Sequence, residues 1–204
     1  MPLDERIAAF LTASADAPPP ASLAEMRAAT ETGLRQLQGE AEPSGGVRDF
    51  TVVAADGYRI ALRAYLPAGV ALLARDRGGP HIERQLLLYP ALSREMTTKS
   101  YCEFAEGYFL TRDAMVFCWQ QYLAQRRDPG AEPLHAATLR GLPPATILSC
   151  EYDPLRDEAE QYAQRLREAG VPIRCERLPG MVHACIHMLG LTPAARRLFE
   201  LARE

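Results

Sequence analysis

Apolar and polar positions follow two periods along this chain, and the switches between them outline its elements. Over residues 22–38, Leu23, Met26, Thr30, Leu34 and Leu37 fall on one helical face, and Ser22 with Glu25 three positions on forms a capping box. A shorter helix is predicted over residues 4–13. It is set apart by Ala17-Pro18-Pro19-Pro20, and Glu42-Pro43-Ser44-Gly45-Gly46 reads as a loop. Phe50 to Ala54 and Tyr58 to Leu66 are extended runs meeting at Asp56-Gly57, a hairpin signal. Val70 to Arg75 then resembles the last turns of a buried helix, stopped by Asp76-Arg77-Gly78-Gly79-Pro80. It is shorter than the crossover of about a dozen residues that joins parallel strands.

From residue 85 onward strands and helices alternate. Gln85 to Tyr89 and Ala145 to Cys150 are apolar without alternation, which suits strands buried on both faces. Residues 91–110 form a long irregular connection. Thr111 caps a helix running to about Gln125, with Met115, Cys118, Trp119 and Tyr122 predicted to face inward. Asp157 and Glu158 open a further helix, where acids suit the positive end of the dipole. Its apolar stripe is Leu155, Ala159, Tyr162, Ala163 and Leu166, and Gly170 ends it. Pro172 to Leu178 alternates as a strand nearer the sheet edge, and Thr192 to Arg203 is a terminal helix. The expected fold class is α/β, a mixed but mostly parallel sheet flanked by helices.

Composition narrows the function classes. At 204 residues and 48% hydrophobic the chain can fill one core, as one domain or one domain with a small appendage. A formal charge of −3, with arginines scattered among acids, argues against nucleic-acid binding. No apolar run approaches the ~20 residues of a membrane helix. Met1-Pro2-Leu3-Asp4-Glu5-Arg6 has acids where a signal peptide has bases, so a soluble, cytoplasmic protein is expected. The 5 cysteines show no paired spacing and are expected to be reduced, small, core-filling residues.

The candidate chemistry lies near the C-terminus. Asp153 directly follows one strand, and His183 sits in the loop after the next. Ligands bind beyond the carboxyl ends of strands in open α/β sheets, so adjacent strands would bring the two together. A carboxylate there holds an imidazole in one tautomer and stabilises its protonated form. Acid before histidine is the order of an α/β-hydrolase triad. The serine that should precede them is missing: none of Ser14, Ser22, Ser44, Ser93, Ser100 and Ser149 has glycine two positions before and two after.

Several stretches carry a resemblance: Leu86-Leu87-Leu88-Tyr89-Pro90, Glu106-Gly107-Tyr108-Phe109-Leu110-Thr111, Gly141-Leu142-Pro143-Pro144-Ala145, Asp153-Pro154-Leu155-Arg156-Asp157-Glu158 and Pro179-Gly180-Met181-Val182-His183. With them the chain resembles the hormone-sensitive-lipase-like branch of the α/β-hydrolases, the bacterial carboxylesterases and lipases. The resemblance implies a small-molecule ester substrate with a short or medium acyl chain, no cofactor, and Asp153 and His183 as catalytic acid and histidine. It also implies that residues 1–46 form an N-terminal helical cap segment and residues 47–204 the hydrolase domain.

That domain looks incomplete. Family members carry a His-Gly-Gly-Gly oxyanion stretch and then a Gly-Asp-Ser-Ala-Gly elbow, whereas here Pro67-Ala68-Gly69 runs directly into Val70-Ala71-Leu72-Leu73-Ala74. About a hundred residues are missing at the 69/70 junction, judged from usual domain size. Esterase turnover is therefore expected to be impaired or absent. The alternative is a non-catalytic remnant that binds a ligand or self-associates through exposed apolar surface. With central strands missing, the hairpin of residues 50–66 is expected to lie against the strand at 85–89. Ser93, Ser149 and Cys150 remain as replacement nucleophiles, the first in a loop and the other two in a predicted strand. His183-x-Cys185-x-His187, with Asp153, is the remaining metal-site reading.

Overall fold

The computed structural model describes residues 1–15, 22–39, 49–53, 59–63, 68–79, 81–123 and 129–203. Helix α1 spans Glu5–Ser14 and α2 spans Leu23–Gln38. Ser22 Oγ accepts from the Glu25 amide at 3.2 Å, as its capping position predicts. Strands β1 (Asp49–Val53) and β2 (Arg59–Arg63) pair antiparallel, while Asp56-Gly57 lies outside the described residues. Helix α3 (Ala68–Arg77) leads to β3 (Gln85–Leu88), and the connection after it contains α4 (Lys99–Glu103) and α5 (Arg112–Leu123). Then come β4 (Ala145–Tyr152), α6 (Arg156–Glu168), β5 (Ile173–Val182) and α7 (Arg196–Arg203).

β3, β4 and β5 form a parallel sheet in that order, with β4 at its centre. Successive residues of β4 serve opposite faces, as strand geometry requires. Ala145 and Ile147 join Ala71 and Leu72 of α3 and Ala159, Tyr162 and Leu166 of α6 in one core layer. Leu148 and Cys150 join Ile7 of α1, Leu178 and Val182 of β5, and Leu198 and Leu201 of α7 in the other. The stripe predicted for α6 is buried in full, because that helix crosses from β4 to β5 over the first layer.

Three expectations are corrected. The hairpin does not extend the parallel sheet; β1 and β2 form a separate two-stranded sheet. α3, which follows the hairpin in the chain, instead covers the sheet, with Ala68, Ala71 and Leu72 in the core. On α5, Met115 and Trp119 are buried as expected, whereas Cys118 is exposed and Tyr122 is 72% exposed. Those two side chains line an open apolar cavity of about 750 Å³ beside β3, with Leu73, Leu86, Leu88 and Ile186. Half of the face predicted to point inward is thus open to solvent, because no described strand fills the space beside it. Cys102 is likewise exposed and Cys175 half-buried, so Cys150 and Cys185 are the fully buried cysteines.

Candidate active site

Asp153 and His183 meet at the carboxyl edge of β4 and β5. β4 ends at Tyr152 and β5 at Val182, and these residues pair across the ladder. Each candidate side chain is therefore the next residue after a paired strand end. The register slips between Cys150↔Leu178 and Tyr152↔Val182, so β5 bulges at Pro179-Gly180. Gly180 has φ +72, and a Cβ on it would lie 3.2 Å from the Pro2 carbonyl oxygen. Its amide donates to Glu151 Oε2 at 2.7 Å, which ties the bulge back to β4. This bulge gives β5 the extra length that brings His183 level with Asp153.

The contact is a hydrogen bond of 2.9 Å between His183 Nδ1 and Asp153 Oδ2. Asp153 is fully buried, while the His183 side chain keeps 21% of its surface exposed. With Nδ1 donating to the carboxylate, the imidazole is held in one orientation and its other nitrogen, Nε2, stays available for proton transfer. Asp153 Oδ1 accepts from the Leu155 amide at 2.9 Å, so the same carboxylate also secures the start of α6. Tyr89 packs edge-on against the imidazole, with ring centroids 4.6 Å apart.

The residues after Asp153 explain why acids and arginine cluster there. Arg156 Nη1 donates to the Glu151 carbonyl at 3.1 Å, and its guanidinium lies over the Phe104 ring at 5.0 Å. Asp157 Oδ2 accepts from the Ser100 amide at 2.8 Å, holding α4. Glu158 Oε1 accepts from the Leu92 amide at 3.0 Å, holding the loop after β3. Burial pushes the Glu158 carboxyl up from 4.5 to about 8. The sequence offered one signal for it: Glu158 lies on the face of Leu155, Ala159 and Tyr162, a charge inside an apolar stripe.

The replacement nucleophiles fall elsewhere. Ser149 is fully buried and donates to Glu160 Oε1 at 2.9 Å. Cys150 is fully buried, its Sγ facing Cys185 Sγ at 3.6 Å. Ser93 is buried with Oγ 2.8 Å from His135 Nε2, a different histidine. Among the described residues no serine or cysteine hydrogen-bonds His183. Nor do three His, Cys, Asp or Glu side chains converge into a metal cluster among them, so the His183-x-Cys185-x-His187 spacing does not build one.

Residues 64–187 match the alpha/beta hydrolase fold family. The chain belongs to that family. Its relatives agree with the hormone-sensitive-lipase-like motifs. The carboxylic ester hydrolase LipN of Mycobacterium tuberculosis is 38% identical over 134 residues, covering 62% of this chain and 36% of LipN. The carboxylesterase NlhH of the same organism is 37% identical over 136 residues, covering 64% of this chain and 43% of NlhH. This hydrolase-family chain thus spans about two fifths of the length of the curated relatives it matches. A thermostable esterase from Pseudomonas putida superposes with a TM-score of 0.83 at 24% identity, covering 98% of this chain and 96% of that one, a likeness of fold alone. An esterase of Pyrobaculum calidifontis is 35% identical with a TM-score of 0.61, over 67% of this chain and 46% of that chain. No described helix is long and apolar enough to cross a membrane.

Proposed function

We propose that this chain derives from a cytoplasmic carboxylic ester hydrolase of short- to medium-chain acyl esters and keeps the acid–base half of its machinery without the nucleophile. In the full reaction His183 would take the proton of the attacking group and return it to the leaving alcohol, with Asp153 orienting the ring. The observation that carries this reading is the 2.9 Å Asp153–His183 bond at adjacent strand ends, with no described serine or cysteine bonded to that histidine. The internal loss of the oxyanion loop and elbow is read from the sequence at the Gly69–Val70 junction, where neither stretch occurs.

Loss of a serine nucleophile costs on the order of 10⁶ in turnover, and the residual catalysis of such variants comes largely from an oxyanion hole, whose His-Gly-Gly-Gly stretch does not occur in this sequence. Hydrolysis of a short-chain p-nitrophenyl ester by the folded chain is therefore expected at the uncatalysed background, equal to that of His183→Ala. Turnover that disappears in His183→Ala would overturn the proposal and reveal a nucleophile. Sequencing the gene across Gly69–Val70 tests the internal loss itself.

The apolar cavity beside β3 favours a second reading, a non-catalytic module that self-associates. Leu73 and Tyr122, among the large exposed apolar side chains, both line that cavity.

A further inference from the structure

Cys150 sits in β4 and Cys185 in the helical turn directly after the His183 loop. Their Sγ atoms are 3.6 Å apart, and both side chains are fully buried. A disulfide needs its sulfurs at about 2.05 Å, so closure asks for an approach of roughly 1.5 Å. We propose that these two thiols form a peroxide-sensitive pair whose oxidation to a disulfide displaces His183 from its place beside Asp153.

Geometry decides which partner moves. Cys150 lies in the central strand, paired with Leu178 on one side, and cannot shift without breaking the ladder. Cys185 opens a single helical turn of three residues, Cys185–His187. Only Ala184 separates it from His183, and Ala184 stands at φ +61, a left-handed conformation disfavoured for alanine. Closing the sulfurs therefore pulls on the short turn, and the pull reaches His183 through one already strained residue. Asp153, fixed at the end of β4 by its bond to the Leu155 amide, does not follow.

The chemistry balances with one peroxide. As the turn opens, one thiol loses its proton and its sulfur attacks a peroxide oxygen. The O–O bond breaks, leaving a sulfenic acid, and the departing hydroxide takes up the proton as water. The second thiol attacks the sulfenic sulfur, the S–O bond breaks, and a second water leaves with the second thiol proton. Two thiols are oxidised to one disulfide, and one peroxide is reduced to two waters. Burial raises the Cys150 thiol, so this reaction waits on opening of the turn and is slower than oxidation of the exposed Cys102 and Cys118. The inference stands on this geometry and not on the ester-hydrolase reading.

The test uses the full chain carrying Cys102→Ser and Cys118→Ser, both exposed positions. It is treated folded with hydrogen peroxide, then denatured, alkylated and digested. The expected result is a joined pair of peptides containing Cys150 and Cys185, separated again by dithiothreitol. The His183 imidazole resonances should shift on oxidation in this chain and not when Cys150→Ala is added. Recovery of Cys150 and Cys185 as alkylated thiols or separate sulfinic acids, or a bridge from either to Cys175, overturns the pairing. A joined pair with unshifted His183 resonances overturns the link to the histidine.

Discussion

Asp153 has two uses at once. One oxygen orients His183 and the other takes the Leu155 amide. Securing the start of α6 and orienting the imidazole are therefore not alternatives for this carboxylate. Asp153→Ala should leave a buried amide unsatisfied and lose about 1–3 kcal/mol, well beyond the cost of His183→Ala. Asp153→Asn keeps an acceptor for that amide and should recover most of the loss. Urea unfolding of the three variants checks the order, and equal midpoints for Asp153→Ala and His183→Ala would refute it. Glu158 gives a pH signature. Its carboxyl titrates near 8 when folded, raised from 4.5, so the folded chain binds more protons than the unfolded one in between. The contribution to stability is whole below about 4.5 and is lost as pH rises through about 8, a fall on the order of a few kcal/mol. Glu158→Gln keeps an acceptor for the Leu92 amide and cannot ionise, so its unfolding midpoint should vary less between pH 5 and pH 9. A wild-type midpoint that rises over that range would contradict the buried neutral carboxyl.

At the scale of elements, the N-terminal segment is docked on the site's half of the molecule. Asp4 accepts through Oδ1 from the Ile7 amide and through Oδ2 from Thr192 Oγ1 at 2.9 Å, and its amide donates to the Gly180 carbonyl at 3.1 Å. Ile7 is fully buried in the layer that holds Met181, Val182 and Cys185. Ile7→Ala should cost about 2–4 kcal/mol and expose α1 amides to hydrogen exchange before the rest of the layer. Exchange of α1 at the wild-type rate in that variant would show that the segment is held by other contacts. Local pattern made these elements legible to different degrees. The α6 stripe is complete because that helix is a crossover between two present strands. The α5 pattern named the right face and the wrong environment, since periodicity tells which side is apolar and not what covers it. The bulge at Pro179-Gly180 was hidden because it is set by pairing with β4, a contact between residues about thirty positions apart. The thiol pair was hidden for the same reason, as Cys150 and Cys185 are brought together only by the sheet.

For the whole molecule, the decisive feature is that a three-stranded parallel sheet is covered on both faces while no described strand pairs with the outer edge of β3. Parallel sheets are normally buried, and an edge without charge or proline in the strand is an invitation to pairing. β3 is Gln85-Leu86-Leu87-Leu88, and its half-buried Leu86 and Leu88 line the 750 Å³ cavity together with the exposed Tyr122. Self-association through this edge makes a specific prediction. Sedimentation of the chain should shift to larger species as concentration rises, and an environment-sensitive apolar dye should bind until association covers the cavity. Leu86→Lys with Leu88→Lys places two cations on the strand, so a second sheet edge could pair there only by burying them. Because both side chains are half-buried at the cavity rim, the variant should remain folded and become monomeric. A wild-type chain that sediments as a monomer at every concentration would remove the self-associating reading, and the Asp153–His183 pair would then be the feature of this fold with a function left to test.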